Sequence, residues 1–267
     1  MSNTPLKVTV LGCGNSSGVP SVGNYWGVCD PREPKNRRSR CSLAVRSENT
    51  TLIIDTGPNF QEQMNTNNIL GLDYVLYSHH HSDHINGIDD LRPLYFRGER
   101  KKINIFTSQE SLAELEKRFH YLFTGGNNAE FYPPILKGHA FAPENYYQTN
   151  TLGDIEFTPF PMDHGTCMAV GYRFGDLSYC VDMKELCDDA LQTIQGSKIW
   201  IVDGAAYKNP ANAVHADLET LYRYNEIVKA EQVYVSSLSP QMDYETLCKE
   251  LPDGFYPAYD GLGFEGL

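Results

Sequence analysis

No apolar run in this 267-residue chain approaches the roughly 18 residues that a membrane-spanning helix needs. No basic stretch, apolar core and small-residue cleavage site occur in order at the start, so a secretory leader is not expected. The chain has seven cysteines, an odd number, and no CxxC pair. That argues against a disulfide framework or an all-cysteine zinc site and for reduced thiols in a cytoplasmic protein. Positive charge is also scarce: 22 Lys and Arg against 34 Asp and Glu, a net charge of −12. A bulk nucleic-acid binder is broadly basic, so that class is excluded. A small anion in a local basic pocket is not excluded, because residues 1–102 carry 12 basic and 10 acidic groups.

The chain is long enough, and at 41% hydrophobic apolar enough, to bury a sizeable core. We find no repeat, low-complexity tract or linker, and expect one domain over 1–267. Short β-branched runs bounded by Gly, Pro, Asn or Ser predict strands at 7–11, 42–45, 51–55, 74–78 and 103–106. Further strands are predicted at 155–160, 169–174, 177–181, 199–202 and 232–237. A helix is predicted over 108–123, with Ser108 as N-cap and Leu112, Leu115, Phe119 and Leu122 on one face. Residues 216–229 and 243–250 also read as helical. The stretch 124–150, rich in Gly, Asn, Pro and Tyr, reads as a loop-rich insertion. Strands then helix, twice over, suggest two sheets face to face with helices outside, a four-layer αββα arrangement of the α/β (α+β) class.

Four of the eight histidines fall within six positions, in Ser78-His79-His80-His81-Ser82-Asp83-His84, directly after an apolar strand. Alternation in an extended segment puts His79 and His81 on one side, and Asp83 and His84 follow in the next part of the loop. Imidazoles with a carboxylate at this spacing suit zinc or a similar borderline ion.

The segment His79-x-His81-x-Asp83-His84 resembles the HxHxDH signature of the metallo-β-lactamase superfamily. The likeness extends to GCGNSSGVP (12–20), NYWGVCDP (24–31), EPKNRRSRCSL (33–43), IDTGPNF (54–60), GIDDLRPL (87–94) and the MDYETL to AYDGL ending (242–262). These segments are similar to the branch containing phosphoribosyl cyclic phosphodiesterases. The resemblance implies the αββα metallo-β-lactamase sandwich and hydrolysis of a small phosphodiester, cyclic or nucleotide-like, at a two-metal centre. One or two Zn2+ ions are expected, with Mn2+ as the alternative.

Carried over residue by residue, His79, His81 and His164 (in PFPMDHG) hold the first metal. Asp83, His84 and a further histidine hold the second, with Asp182 (in LSYCVDM) bridging both. Taken alone, Asp182 also fits a helix N-cap and His164 a turn. Asp55, in IDTG, is expected to orient a ligand histidine. Asp83 and His215 are the candidate catalytic groups, His215 as proton donor to the leaving group; a helix-start residue without chemistry is its alternative. Arg92 and Ser237 are the substrate-facing candidates.

The chain departs from the family where Thr-His-x-Ser-His is usual: it reads Ser236-Ser237-Leu238-Ser239-Pro240, so Ser237 stands at the last metal ligand. Upstream, His-Pro-x-His has become Asn212-Ala213-Val214-His215. A weak second metal site is expected, and with it two alternative functions: an impaired nucleotide- or phosphate-binding protein, or a hydrolase of another ester, thioester or lactam bond. The expected partner is a small phosphorylated substrate, with no membrane and no bulk nucleic acid; a homodimer remains open.

Overall fold

The computed structural model describes residues 5–126 and 131–267. The first sheet holds β1 (Lys7–Gly12), β2 (Ser42–Arg46), β3 (Thr51–Ile54), β4 (Tyr74–Leu76), β5 (Ile103–Thr107), β6 (Leu136–Ala140) and β14 (Gly263–Glu265). Their order across the sheet is β14-β1-β2-β3-β4-β5-β6. The second sheet holds β7 (Asn150–Leu152), β8 (Ile155–Asp163), β9 (Met168–Phe174), β10 (Leu177–Cys180), β11 (Ile199–Asp203), β12 (Gln232–Ser236) and β13 (Phe255–Pro257). Their order is β13-β12-β11-β10-β9-β8-β7.

Side-chain alternation decides which face of the first sheet meets which layer. Val8, Val10, Leu52 and Ile54 turn into one core with Phe157, Tyr172, Tyr179 and Ile201 of the second sheet. Leu11, Ile53, Val75 and Ile105 turn the other way, into a second core. There they meet α1 (Phe60–Thr66), α2 (Ser82–Ile85), α3 (Leu91–Arg97), α4 (Gln109–Arg118) and α5 (His120–Thr124). The second sheet is covered by α6 (Asp188–Ile194), α7 (Leu218–Val228) and α8 (Tyr244–Glu250), through Leu191, Leu221 and Leu247 among others. The expected four-layer αββα sandwich is present.

Two expectations need correction, and three short strands were not expected. The helix expected over 108–123 is two helices. Ser108 does cap α4, its Oγ accepting from Ser111 N at 3.2 Å. At Phe119 the backbone leaves the helical region (φ −119°, ψ 33°) and restarts as α5. The break lets Leu122 bury completely while its carbonyl accepts from Ile135 N at 2.8 Å. The stretch 124–150 is not all loop: β6 adds to the first sheet through it by parallel pairing with β5. Positions 127–130 of that predicted insertion lie outside the described residues. Finally, β7, β13 and β14 are three residues each, too short to show a two-residue period. Among the described residues, no helix is long and apolar enough to cross a membrane.

Candidate metal centre

The candidate residues gather where strands end. His79 and His81 follow β4, with Asp83 and His84 in α2 just beyond; His164 follows β8; Asp182 follows β10; Ser237 follows β12. Open sheets place ligands outside the carboxyl ends of their parallel strands, and β10, β11 and β12 are parallel here. Asp55 follows β3, and it, Asp182 and Ser237 are left-handed at non-glycine corners (φ 65°, 52° and 57°). Such residues cluster at functional sites, where the surrounding structure holds them in place.

Hydrogen bonds fix which nitrogen each imidazole presents. Ser78 Oγ donates to Asp55 Oδ2 at 2.7 Å, so His79 Nδ1, 3.0 Å from that hydroxyl, donates to it. This leaves the lone pair of His79 Nε2 inward. His164 Nδ1 donates to the Val214 carbonyl at 2.8 Å, which likewise turns the lone pair of Nε2 inward. His164 Nε2 lies 3.3 Å from His81 Nδ1. The three ligand nitrogens of His79, His81 and His164 fall within 4.8 Å of one another. His79 Nε2 is buried with no hydrogen-bond partner, an orphan that a bound cation would satisfy. Burial, with His84 nearby, holds His79 well below the ordinary histidine range. Burial and His164 lower His81 too. Neutral imidazoles are what a metal needs, and this donor set fits a divalent cation.

A second set lies alongside. His79, His84 and Asp182 offer ligand atoms within 4.8 Å of one another. His84 Nε2 is 2.6 Å from Asp182 Oδ2 and 3.3 Å from Asp83 Oδ2. Burial works to raise the Asp182 carboxyl, but His84 outweighs it and holds the group well below the ordinary range. Asp83 is lowered in the same way, its bond to His84 overcoming burial. Both carboxylates are therefore charged acceptors.

Asp55 is fully buried and accepts from Ser78 N (2.7 Å), Ser78 Oγ (2.7 Å) and His84 Nδ1 (2.7 Å). It thereby aims His84 Nε2 at the two aspartates and sets the His79 tautomer through Ser78. Removing such an outer partner typically costs about 10–100-fold in metal affinity. Asp55→Asn should weaken metal binding by that order in competition with a chromogenic chelator. Unchanged affinity would mean that Asp55 serves the fold alone.

His215 Nδ1 sits 2.6 Å from Asp203 Oδ2, and its ring lies 5.1 Å from that of His164. Gly165 permits this approach: a Cβ there would come within 2.4 Å of the Ala213 carbonyl, and its φ is +72°. Burial pulls the imidazole down, but the bond to Asp203 outweighs it and raises His215 to about 9. Sequence reasoning missed Asp203. The signal existed, because Asp203 ends an apolar strand and precedes a glycine, much as Asp182 ends its own strand. Asp203 also accepts from Met183 N at 2.8 Å, tying the Asp182 loop to His215.

The other expected residues separate. Ser237 is buried, its Oγ 3.4 Å from Asp182 Oδ1 and 3.5 Å from Cys41 Sγ. Burial pushes the Cys41 thiol up to about 12, so it stays protonated. Among the described residues no contact brings Arg92 to the centre: its Nε lies 3.7 Å from Asp89 Oδ1 and its guanidinium over the rings of Tyr121 and Tyr132, with Nη2 buried and without a hydrogen-bond partner. Arg38, in the 33–43 segment, is buried as well. Its Nη1 donates to the Met242 carbonyl at 2.6 Å and its Nη2 to Asn36 Oδ1 at 3.0 Å, a structural use.

Ser237→His tests the second set. Histidine tolerates the left-handed region better than most residues, and its ring would reach toward Asp182. Metal content by elemental analysis should rise toward two per chain. No change would show that Ser237 is not at the missing ligand position.

A family model for the beta-lactamase superfamily domain matches residues 50–236. The chain belongs to this family. Among solved structures, this superfamily member is similar to a diphosphatase from the PhnP family, at 29% identity and a TM-score of 0.85, covering 98% of this chain and 97% of that one. It shares its fold with the metallo-beta-lactamase fold protein YhfI from Bacillus subtilis, at 22% identity and a TM-score of 0.72, covering 98% and 100%. Among curated proteins it is 26% identical over 260 residues to an octanoyltransferase of Porphyromonas gingivalis. That match takes in 96% of this chain but 51% of the relative, so the chain spans about half the relative's length.

Proposed function

We propose that this protein is a metal-dependent hydrolase of a small phosphodiester, cyclic or nucleotide-like, with zinc or manganese as the cation. The observation that carries the reading is the His215–Asp203 pair standing beside the His79, His81 and His164 triad. A protonated imidazole next to a triad of imidazoles, two of them with inward lone pairs, is a proton donor beside a cation site. The likeness to a PhnP-family diphosphatase favours phosphoryl chemistry. The acyl transfer named for the curated relative is not carried over, since half of that protein has no counterpart here.

A cation bound there would supply Lewis acidity toward a phosphoryl oxygen and lower the pKa of attacking water. The chain's own residues do the rest. His79 and His164 hold their inward lone pairs through Ser78 and Val214. Asp182, charged and fixed by its strand-end corner, faces both sets. His215 keeps its proton at Nε2 while Asp203 holds Nδ1, and delivers that proton to the departing oxygen.

The test is purified protein with bis(p-nitrophenyl) phosphate and with cyclic nucleotides, with and without zinc or manganese. Metal-dependent turnover supports the reading; no turnover of any phosphodiester overturns it. Ser237 at the second set favours one other outcome, saturable nucleotide binding with no turnover, which would mark a binding protein on the same fold.

A further inference from the structure

Each imidazole of the triad needs one bare nitrogen facing the cation and a partner for the proton on its other nitrogen. His79 and His164 have oxygen partners, Ser78 Oγ at 3.0 Å and the Val214 carbonyl at 2.8 Å. His81 has no such oxygen among the described residues. Its two nitrogens meet different neighbours: Nδ1 lies 3.3 Å from His164 Nε2, and Nε2 lies 3.9 Å from Cys167 Sγ.

The first distance assigns the inward nitrogen. Two nitrogens bound to one tetrahedral zinc at about 2.0–2.1 Å stand about 3.3–3.4 Å apart. His81 Nδ1 and His164 Nε2 already have that spacing. Independent support for a cation at this point comes from His79, which is 0% exposed and whose Nε2 has no hydrogen-bond partner. Nδ1 is therefore the ligand atom of His81, and with a cation bound the ring proton sits on Nε2.

Cys167 stands half-buried in the turn between β8 and β9, three residues after His164. A thiol is both a weak donor and a weak acceptor. Without a cation, His81 Nδ1–H can donate to His164 Nε2 while Nε2 accepts the thiol proton. With a cation on Nδ1, Nε2–H donates to the sulfur. One side chain thus serves both tautomers without rearrangement, and as a neutral group it adds no charge to the centre.

We propose that Cys167 is a positioning residue of the metal centre, its sulfur accepting the Nε2 proton of His81 and so keeping the Nδ1 lone pair on the cation. Carboxylates, carbonyls and water usually fill this outer place. Here the chain supplies a thiol from the turn that also carries His164, so one short segment places one ligand and orients another.

Zinc affinity, measured by competition with a chromogenic chelator on protein kept reduced, tests this. Cys167→Val keeps about the same volume but offers no acceptor. It should weaken zinc binding about tenfold, the low end for an outer partner because sulfur accepts weakly. Cys167→Ser restores an acceptor and should bind within about threefold of wild type. Cobalt-loaded wild type should lack a thiolate-to-cobalt charge-transfer band, since the sulfur faces the ring nitrogen and not the ion. Circular dichroism checks folding; if Cys167→Val does not fold, Cys167→Ala takes its place, with weaker binding again expected. Unchanged affinity in the folded valine or alanine variant, an equal loss in Cys167→Ser, or a thiolate band in wild type would each overturn the proposal. Absence of any zinc uptake by wild type would overturn it together with the metal centre. None of these readouts depends on turnover, so a failed hydrolase assay leaves this result standing.

Discussion

His81→Ala is expected to lose metal and activity together. The change removes one of three imidazoles that face each other within 4.8 Å, and few other donors could replace it. Disturbing an outer-shell partner alone costs about 10–100-fold in affinity, so loss of a direct ligand should exceed about 100-fold. His81 is only half-buried, so alanine leaves the cores intact and the fold should survive. Elemental analysis and circular dichroism on protein purified without chelators measure both quantities. Unchanged metal content in a folded variant would refute the ligand assignment.

His215→Ala should lower kcat by about 10²–10⁴-fold while leaving metal content unchanged, as expected for a lost general acid. The pH profile carries a finer expectation. His215 must hold its proton to act, and Asp203 raises it to about 9. Activity should therefore persist through neutral pH and fall as pH rises toward 9. The smaller contributions from Asp182 and Asp83 fade once cations neutralise them, so the limb lies at or below that value. Asp203→Asn should move this alkaline limb toward the ordinary histidine range near 6.5. A limb that does not move would remove Asp203 from this role. The same pair contributes to stability. A raised histidine stabilises fully below its unfolded pKa and loses that contribution as pH rises through the folded value. The thermal unfolding midpoint of wild type should thus fall between about pH 6.5 and 9, and fall less in Asp203→Asn.

The sequence was most legible where one strand and its loop held several ligands. His79, His81, Asp83 and His84 lie within six positions after an apolar strand, so local spacing alone pointed to a cation. Asp55, two dozen residues upstream, was readable as an orienting group from its place in the IDTG turn, and the structure gives it three donors. Phe119 failed as a helix residue because an apolar face continued past the point where the backbone had to break to bury Leu122.

By itself the sequence determined the two-sheet class, ten of the fourteen strands of the described residues and the histidine-rich loop. These follow from periodicity and from spacing of a few residues, and both are properties of neighbouring positions. Tertiary structure alone decided the rest. His164, Asp182, Asp203 and His215 come from four separate chain segments, and only the stacking of strand ends sets His215 on Asp203 and beside His164. The contact of Cys167 with His81 is likewise invisible in sequence, since the two lie 86 positions apart and only the packing of the β8–β9 turn against the metal loop brings them to 3.9 Å.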